Sequence, residues 1–241
     1  EIQAQQQSMM ETFRTYTYLD HNDRLVCVTS TQVPFHVRRQ LSRALGIPQT
    51  RIRVVKPRIG GGFGAKQTVV SEFYPAVVTL KTGRAAKMIY SRQETFACSN
   101  SRHQMQVHVK VGANSDGHIR AIEVDALSNQ GAYGEHGTTT IGLVGHKSIP
   151  LYNQAEAFRF KWHTVYTNMM PGGAFRGYGA TQGIFAVESA VNELAIKLGM
   201  DSSLIREKNM LHLGEILKAY YNEPLTSCAL ARCIVRRKEI I

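Results

Sequence analysis

Four of the five residues at 60–64 are glycine, interrupted only by Phe63, and no regular helix or strand runs through such a stretch. Glycine lacks a Cβ, so it reaches positive φ without steric cost and lets other atoms approach its backbone closely. Successive N–H groups in such a turn form a concavity suited to an anion or an oxo group. The segment 58–66, RIGGGFGAK, therefore reads as a loop, between a short strand over 51–56 (RIRVVK) and a helix over 67–80. Two nucleotide-binding patterns compete for it. Gly60-x-Gly62-x-x-Ala65 formally matches the dinucleotide fingerprint. The strand before it ends in Lys56-Pro57-Arg58, poor for a central parallel strand, and no strand ending in an acidic residue follows at the required distance. A Walker loop fails because Ala65 stands at its last glycine and Gln67 at its Ser or Thr.

A second glycine-rich loop runs from Gly172 to Gln182, GGAFRGYGATQ, just before a helix. Arg176 offers a bidentate clamp for an anionic oxygen group. Phe175 and Tyr178 offer flat faces for a ring. Taken alone, this loop also reads as a structural turn.

Residues 9–19 (MMETFRTYTYL) and 24–29 (RLVCVT) have strand composition. Pro34 opens a helix with Phe35, Val37, Leu41 and Leu45 on one stripe, stopped by Gly46 and Pro48. Alternating Val107, Val109 and Val111, the turn Ser115-Asp116-Gly117 and the run from Ile119 to Asp125 predict a hairpin. Residues 158–166 form another strand. A helix over 182–198 places Phe185, Val187, Val191, Leu194, Ala195 and Leu198 on one face and closes at Gly199. Asp201 caps a further helix to about His212. Without regular βαβ alternation the class is α+β, mixed sheets with packed helices.

The net charge is +11, yet the basic residues are scattered and no nucleic-acid-binding pattern accompanies them, so no nucleic-acid partner is expected. No run of 18 apolar residues exists, so no membrane partner is expected either. Cys27, Cys98, Cys228 and Cys233 are too sparse for a disulfide scaffold and read as reduced thiols of a cytoplasmic protein. Position 1 is Glu within a polar, Gln-rich start, so the gene product is expected to begin upstream.

Together the two loops resemble the signature pair of the xanthine dehydrogenase and aldehyde oxidase family. There a GGGFGxK loop and an AxRGxGxxQ loop close on a molybdopterin cofactor. The resemblance covers nearly the whole chain and includes Met10-Glu11-Thr12, Ser30-Thr31-Gln32, Arg102-His103, Thr167-Asn168 and Arg206 with Asn209, in the family's order. Its closest flavour is the bacterial xanthine dehydrogenase-like large subunit. It implies that residues 1–241 are part of a molybdopterin-binding domain whose N-terminal and C-terminal surroundings lie outside the chain.

The resemblance assigns cofactor contacts to Gln32, Gly62, Phe63, Gly64, Ala174, Phe175 and Arg176. Gln32, Phe63 and Arg176 approach the molybdenum centre, mostly without being direct ligands. Gln67 and Tyr178 fall on the substrate side. Gln67 stands where animal xanthine-oxidising enzymes carry a purine-binding glutamate, and no arginine occupies 143–145, where a substrate-orienting one is expected. The family's general base is a glutamate on a late loop, expected beyond Ile241. Glu11, Glu72, Glu135 and Glu188 do not sit in its motif. The pterin holds the metal, so no His or Cys cage is expected: His103 and His108, five apart on an expected strand, would face opposite sides. Glu135-His136 reads as a structural or substrate-side element. The implied activity is hydroxylation of xanthine or a related purine or N-heterocycle, with water as oxygen source. The alternatives are an aldehyde- or nicotinate-type hydroxylase, or a non-catalytic cofactor-binding or assembly module. The cofactor is a molybdopterin-type molybdenum cofactor, with the cytosine dinucleotide form an option. A 2Fe–2S subunit and an FAD subunit are the implied partners, since no iron–sulfur cysteine pattern occurs here.

Overall fold

The computed structural model describes residues 2, 3 and 5–240. Its backbone divides into two compact units. The first comprises the described residues of Glu1–His103 with Gln130–His136 and Tyr166–Arg176; the second comprises Gln104–Asn129, Gly137–Val165 and the described residues of Gly177–Ile241.

The first unit holds a four-stranded sheet of β1 (Arg14–Leu19), β2 (Leu25–Thr29), β3 (Ile52–Val55) and β4 (Ala86–Ile89), in the order β3-β2-β1-β4. β1 is antiparallel to both neighbours, with Tyr16 opposite Val28 and Lys87. β2 and β3 are parallel. The crossover between them is α1 (Pro34–Leu45), opened by Pro34 and ended by Gly46 at φ +66°. Val37 and Leu41 bury against Leu25, Cys27, Ile52 and Ala76. Phe35, expected on that stripe, is 72% exposed, because its position points away from the sheet. α2 (Phe73–Thr82) covers the same sheet through a polar layer: Thr17 and Thr79 share a 2.7 Å hydroxyl contact, and Thr15 meets Ser71 at 2.8 Å. Residues 67–72 are not part of that helix as the sequence suggested. Their polar groups are spent on tertiary bonds, such as Thr29 Oγ1 to the Glu72 carboxylate at 2.9 Å. The first strand likewise begins only at Arg14, because Glu11 N–H donates to Gly60 O at 3.0 Å. α3 (Arg92–Cys98) follows β4, fixed by a capping box between Ser91 and Glu94.

The second unit holds the expected hairpin, β5 (Gln104–Ala113) and β6 (Ile119–Asn129), with Val109 opposite Val124. β7 (Ala157–Val165) pairs parallel to β6 after α4 (Gly137–Ser148). α5 (Ala180–Leu198) closes at Gly199, and α6 (Ser202–Asn209) is capped by the Asp201 side chain, as read from the sequence. The core joins Ile119, Ile122, Val124, Ile141, Val144, Val187, Val191 and Ile205. Phe185 leaves the expected face and is 58% exposed; Gly183 is buried instead. A Cβ on Gly183 would strike the Val144 carbonyl, so glycine lets α5 approach α4 closely. β8 (Ile216–Leu217), β9 (Glu223–Pro224) and α7 (Leu230–Ile240) complete the chain. No helix among the described residues is long and apolar enough to cross a membrane.

Candidate functional site

The glycine-rich loop leaves β3 and turns through Phe63 at φ +50° and Gly64 at φ +99°. Three anchors hold this turn. Ala65 N–H closes it on Gly62 O at 2.9 Å. Gly64 N–H donates to Gln32 Oε1 at 3.1 Å, and Gln32 N–H returns to Lys66 O at 2.9 Å. Gln32 sits between β2 and α1, so its carboxamide reaches the loop from the end of the sheet. A Cβ on Gly62 would lie 2.5 Å from Gln32 Oε1, which explains the glycine there.

Beneath the loop lies a buried ion pair. Lys66 is 1% exposed, and its Nζ donates to Glu11 Oε2 and to Ser30 Oγ, each at 2.8 Å. The same carboxylate oxygen accepts from Ser30 Oγ at 2.5 Å and from Gly60 N–H at 2.8 Å. Burial alone would raise the Glu11 pKa; the bonds from Lys66, Ser30 and Gly60 outweigh it and bring the value down to about 2. Burial also lowers the Lys66 pKa, and Glu11 opposes that shift.

The second loop packs directly on the first. Arg176 N–H donates to Phe63 O at 2.9 Å. A Cβ on Gly64 would run into the Ala174 carbonyl, with the Phe175 nitrogen 3.1 Å away. Gln7 Nε2 donates to Ala174 O at 2.7 Å and to Asn100 Oδ1 at 3.1 Å. Gly173 N–H donates to Ser101 O at 2.9 Å. Arg102 donates to Phe175 O and Arg176 O, each at 3.2 Å, with its guanidinium 4.1 Å from the Phe175 ring centroid.

Gln32, Gly62, Phe63, Gly64, Ala174, Phe175 and Arg176 are thus brought together in one unit. Gln67 joins them through its N–H to Gly64 O at 3.1 Å. Tyr178, at φ +52°, belongs to the second unit. His103 precedes β5 rather than lying on it. It is buried, and desolvation holds its pKa down to about 4. Glu72 is buried, and its pKa is raised by desolvation. Glu188 lies in the second unit, bonded to Tyr152 and Arg206. Sequence reasoning gave no role to Gln7, Glu11, Lys66, Asn100 or Arg102. Arg102 and Glu11 stood within matched motifs, but nothing in their spacing signalled a contact.

The donors left over suit a ligand that brings its own metal ligands. The Arg176 guanidinium is exposed and bonds to no described residue, and no described residue accepts from the Gln32 amide nitrogen. Among the described residues no group of three His, Cys, Asp or Glu side chains is placed to hold a metal. Cationic and amide donors beside a glycine cradle match an anionic cofactor, not a bare ion.

Residues 1–210 match the model of the molybdopterin cofactor-binding domain. The chain belongs to that family. This molybdopterin cofactor-binding domain is 40% identical over 98% of its length to the probable hypoxanthine oxidase XdhD of Escherichia coli (strain K12), covering 26% of that protein. It is 37% identical over 96% of its length to the xanthine dehydrogenase molybdenum-binding subunit of Escherichia coli O157:H7, covering 31% of it. It superimposes on the aldehyde oxidoreductase from Desulfovibrio gigas with a TM-score of 0.90 at 28% identity, over 98% of this chain and 26% of that one. The domain therefore spans about a quarter to a third of the length of these relatives.

Proposed function

We propose that this chain forms one wall of the molybdenum-cofactor site in a hydroxylase that oxidises hypoxanthine, xanthine or a related N-heterocycle with oxygen from water. The observation that carries the reading is the seam between the two loops, Arg176 N–H on Phe63 O at 2.9 Å, which sets the unspent donors of Gln32 and Arg176 on one assembly. Gln32, Gly62, Phe63, Gly64, Ala174, Phe175 and Arg176 hold the cofactor, with the cytosine dinucleotide form as its fuller version. Gln32 and Arg176 orient its oxygen ligands, Phe63 and Gly64 present backbone, and Gln67 and Tyr178 serve the substrate. When bound, the cofactor supplies two-electron redox chemistry. The general-base glutamate lies outside residues 1–241. Electrons leave through a 2Fe–2S subunit and an FAD subunit of a cytoplasmic complex. The names of the two bacterial relatives support the purine class. The fold match to an aldehyde oxidoreductase favours an aldehyde substrate as the second reading.

The test is turnover of the full-length protein, with its partners, in ¹⁸O-labelled water with an artificial electron acceptor. The reading expects molybdenum-dependent oxidation of hypoxanthine and the label in the product. Oxidation of aldehydes alone would favour the second reading. Product oxygen drawn from O₂, or no turnover of either class, would overturn both.

A further inference from the structure

We infer that Glu135 is the substrate-recognising carboxylate of this site, accepting a ring N–H of a flat N-heterocycle; this rests on the function proposed above. Residues 130–136 form a third loop of the first unit, and it is tied to the segment that leads into the Arg176 loop. Ala132 N–H donates to Met169 O at 3.1 Å, Thr167 N–H to Gly131 O at 3.2 Å and Gly172 N–H to Gln130 O at 3.2 Å. On its other side this loop is pinned to the glycine-rich loop, because Thr68 Oγ1 donates to Glu135 Oε1 at 2.5 Å. Thr68 follows Gln67, whose N–H closes on Gly64 O. Glu135 is therefore anchored one residue from Gln67 by a nearly buried hydroxyl.

Its charge favours protonation of His36 but is tied up in no ion pair with a described residue. Glu135 forms no salt bridge with any described residue, and Oε2 accepts no hydrogen bond from one. A half-buried carboxylate with one oxygen oriented and the other unspent is a poor stability device, since its desolvation goes uncompensated. It is a good acceptor for a polarised ring N–H. Flat aromatic surface stands beside it: a Cβ on Gly134 would lie 2.9 Å from the Tyr166 ring, and Tyr166 and Tyr133 are 69% and 83% exposed. Carboxylate beside aromatic faces selects planar heterocycles that carry N–H donors.

Glu135→Gln preserves shape and can still accept from Thr68, so the loop anchor survives while the charge goes. The full-length enzyme and this variant would be compared on hypoxanthine and on hypoxanthines each methylated at one ring nitrogen. The variant should retain wild-type molybdenum content and lose about 10- to 100-fold in kcat/KM on hypoxanthine, the range for a charged hydrogen bond. On the member whose contacted nitrogen is methylated, the variant's loss should shrink to under about 3-fold, because the bond is already gone. Thr68→Val, which frees the carboxylate from its anchor, should show an intermediate loss with the same substrate pattern. An equal loss across the series, or no loss, would overturn the assignment. Wild-type oxidation of aldehydes but of no hypoxanthine would overturn it while leaving the cofactor reading intact. A wild-type protein without molybdenum would remove both.

Discussion

Lys66→Met tests whether the buried pair under the glycine-rich loop sets that loop's shape. Methionine keeps most of the aliphatic volume and deletes the ammonium. Glu11 then loses one of its three hydrogen-bond donors and keeps a looser 3.6 Å ion pair with Arg14, with its side chain only 18% exposed. Removing one partner of a fully buried pair costs about 3–5 kcal/mol. The remaining bonds from Ser30 and Gly60, and some access to water, reduce the expectation to about 2–3 kcal/mol. If opening the loop separates the pair, that loss speeds local exchange by about 30- to 150-fold. Hydrogen exchange of the Gly64 and Ala65 amides in the full-length protein reads it directly, because their acceptors are Gln32 Oε1 and Gly62 O. The double variant Glu11→Met with Lys66→Met, which leaves no buried charge unpaired and only the half-exposed Arg14 without its partner, should sit closer to wild type than the single one. Exchange within about 3-fold of wild type in Lys66→Met would refute the role given to the pair.

Glu11 also predicts an acid response. Its folded pKa, about 2, lies below the ordinary 4.5, so its stabilisation is complete above pH 4.5 and is lost as pH falls towards 2. Glu11→Gln should flatten that limb of a pH–unfolding curve. The glycines separate two effects. Gly64→Ala adds positive-φ strain of about 1–3 kcal/mol and a collision with the Ala174 backbone, so it should open the seam and release molybdenum. Gly62→Ala meets the Gln32 side chain and no backbone, so exchange should rise at the Gly64 amide while the seam holds. Molybdenum analysis together with exchange distinguishes the two variants.

The two loops were legible because glycine and arginine in such density serve few purposes other than close backbone approach. The hairpin of β5 and β6 was legible for a local reason: strict alternation around Ser115-Asp116-Gly117, where Gly117 takes φ +86°. α4 was not read as a helix, because Thr138, Thr139, Thr140, Gly142 and Gly145 have poor helix propensity. Tertiary packing decides it: a Cβ on Gly145 would enter the Phe160 ring, and Gly179 and Gly183 meet the α4 backbone. α3 carried a readable signal in Ser91 and Glu94, a capping box three residues apart. The Lys66 pair was hidden because its partners lie 55 and 36 residues away, and a lysine ending a loop ordinarily points to water. Arg102 was hidden similarly, 73 residues from the carbonyl it holds.

Arg176 and its neighbours are proposed to hold a molybdenum cofactor. The most direct measurement is molybdenum per protein in the purified full-length complex, wild type against Arg176→Ala. Arg176 makes no side-chain bond to any described residue, so its removal should leave the fold unchanged by circular dichroism. The wild type should hold near one molybdenum per chain and Arg176→Ala should show a clear deficit, from loss of a charge-assisted donor. Equal molybdenum content and equal turnover in the two proteins would contradict it.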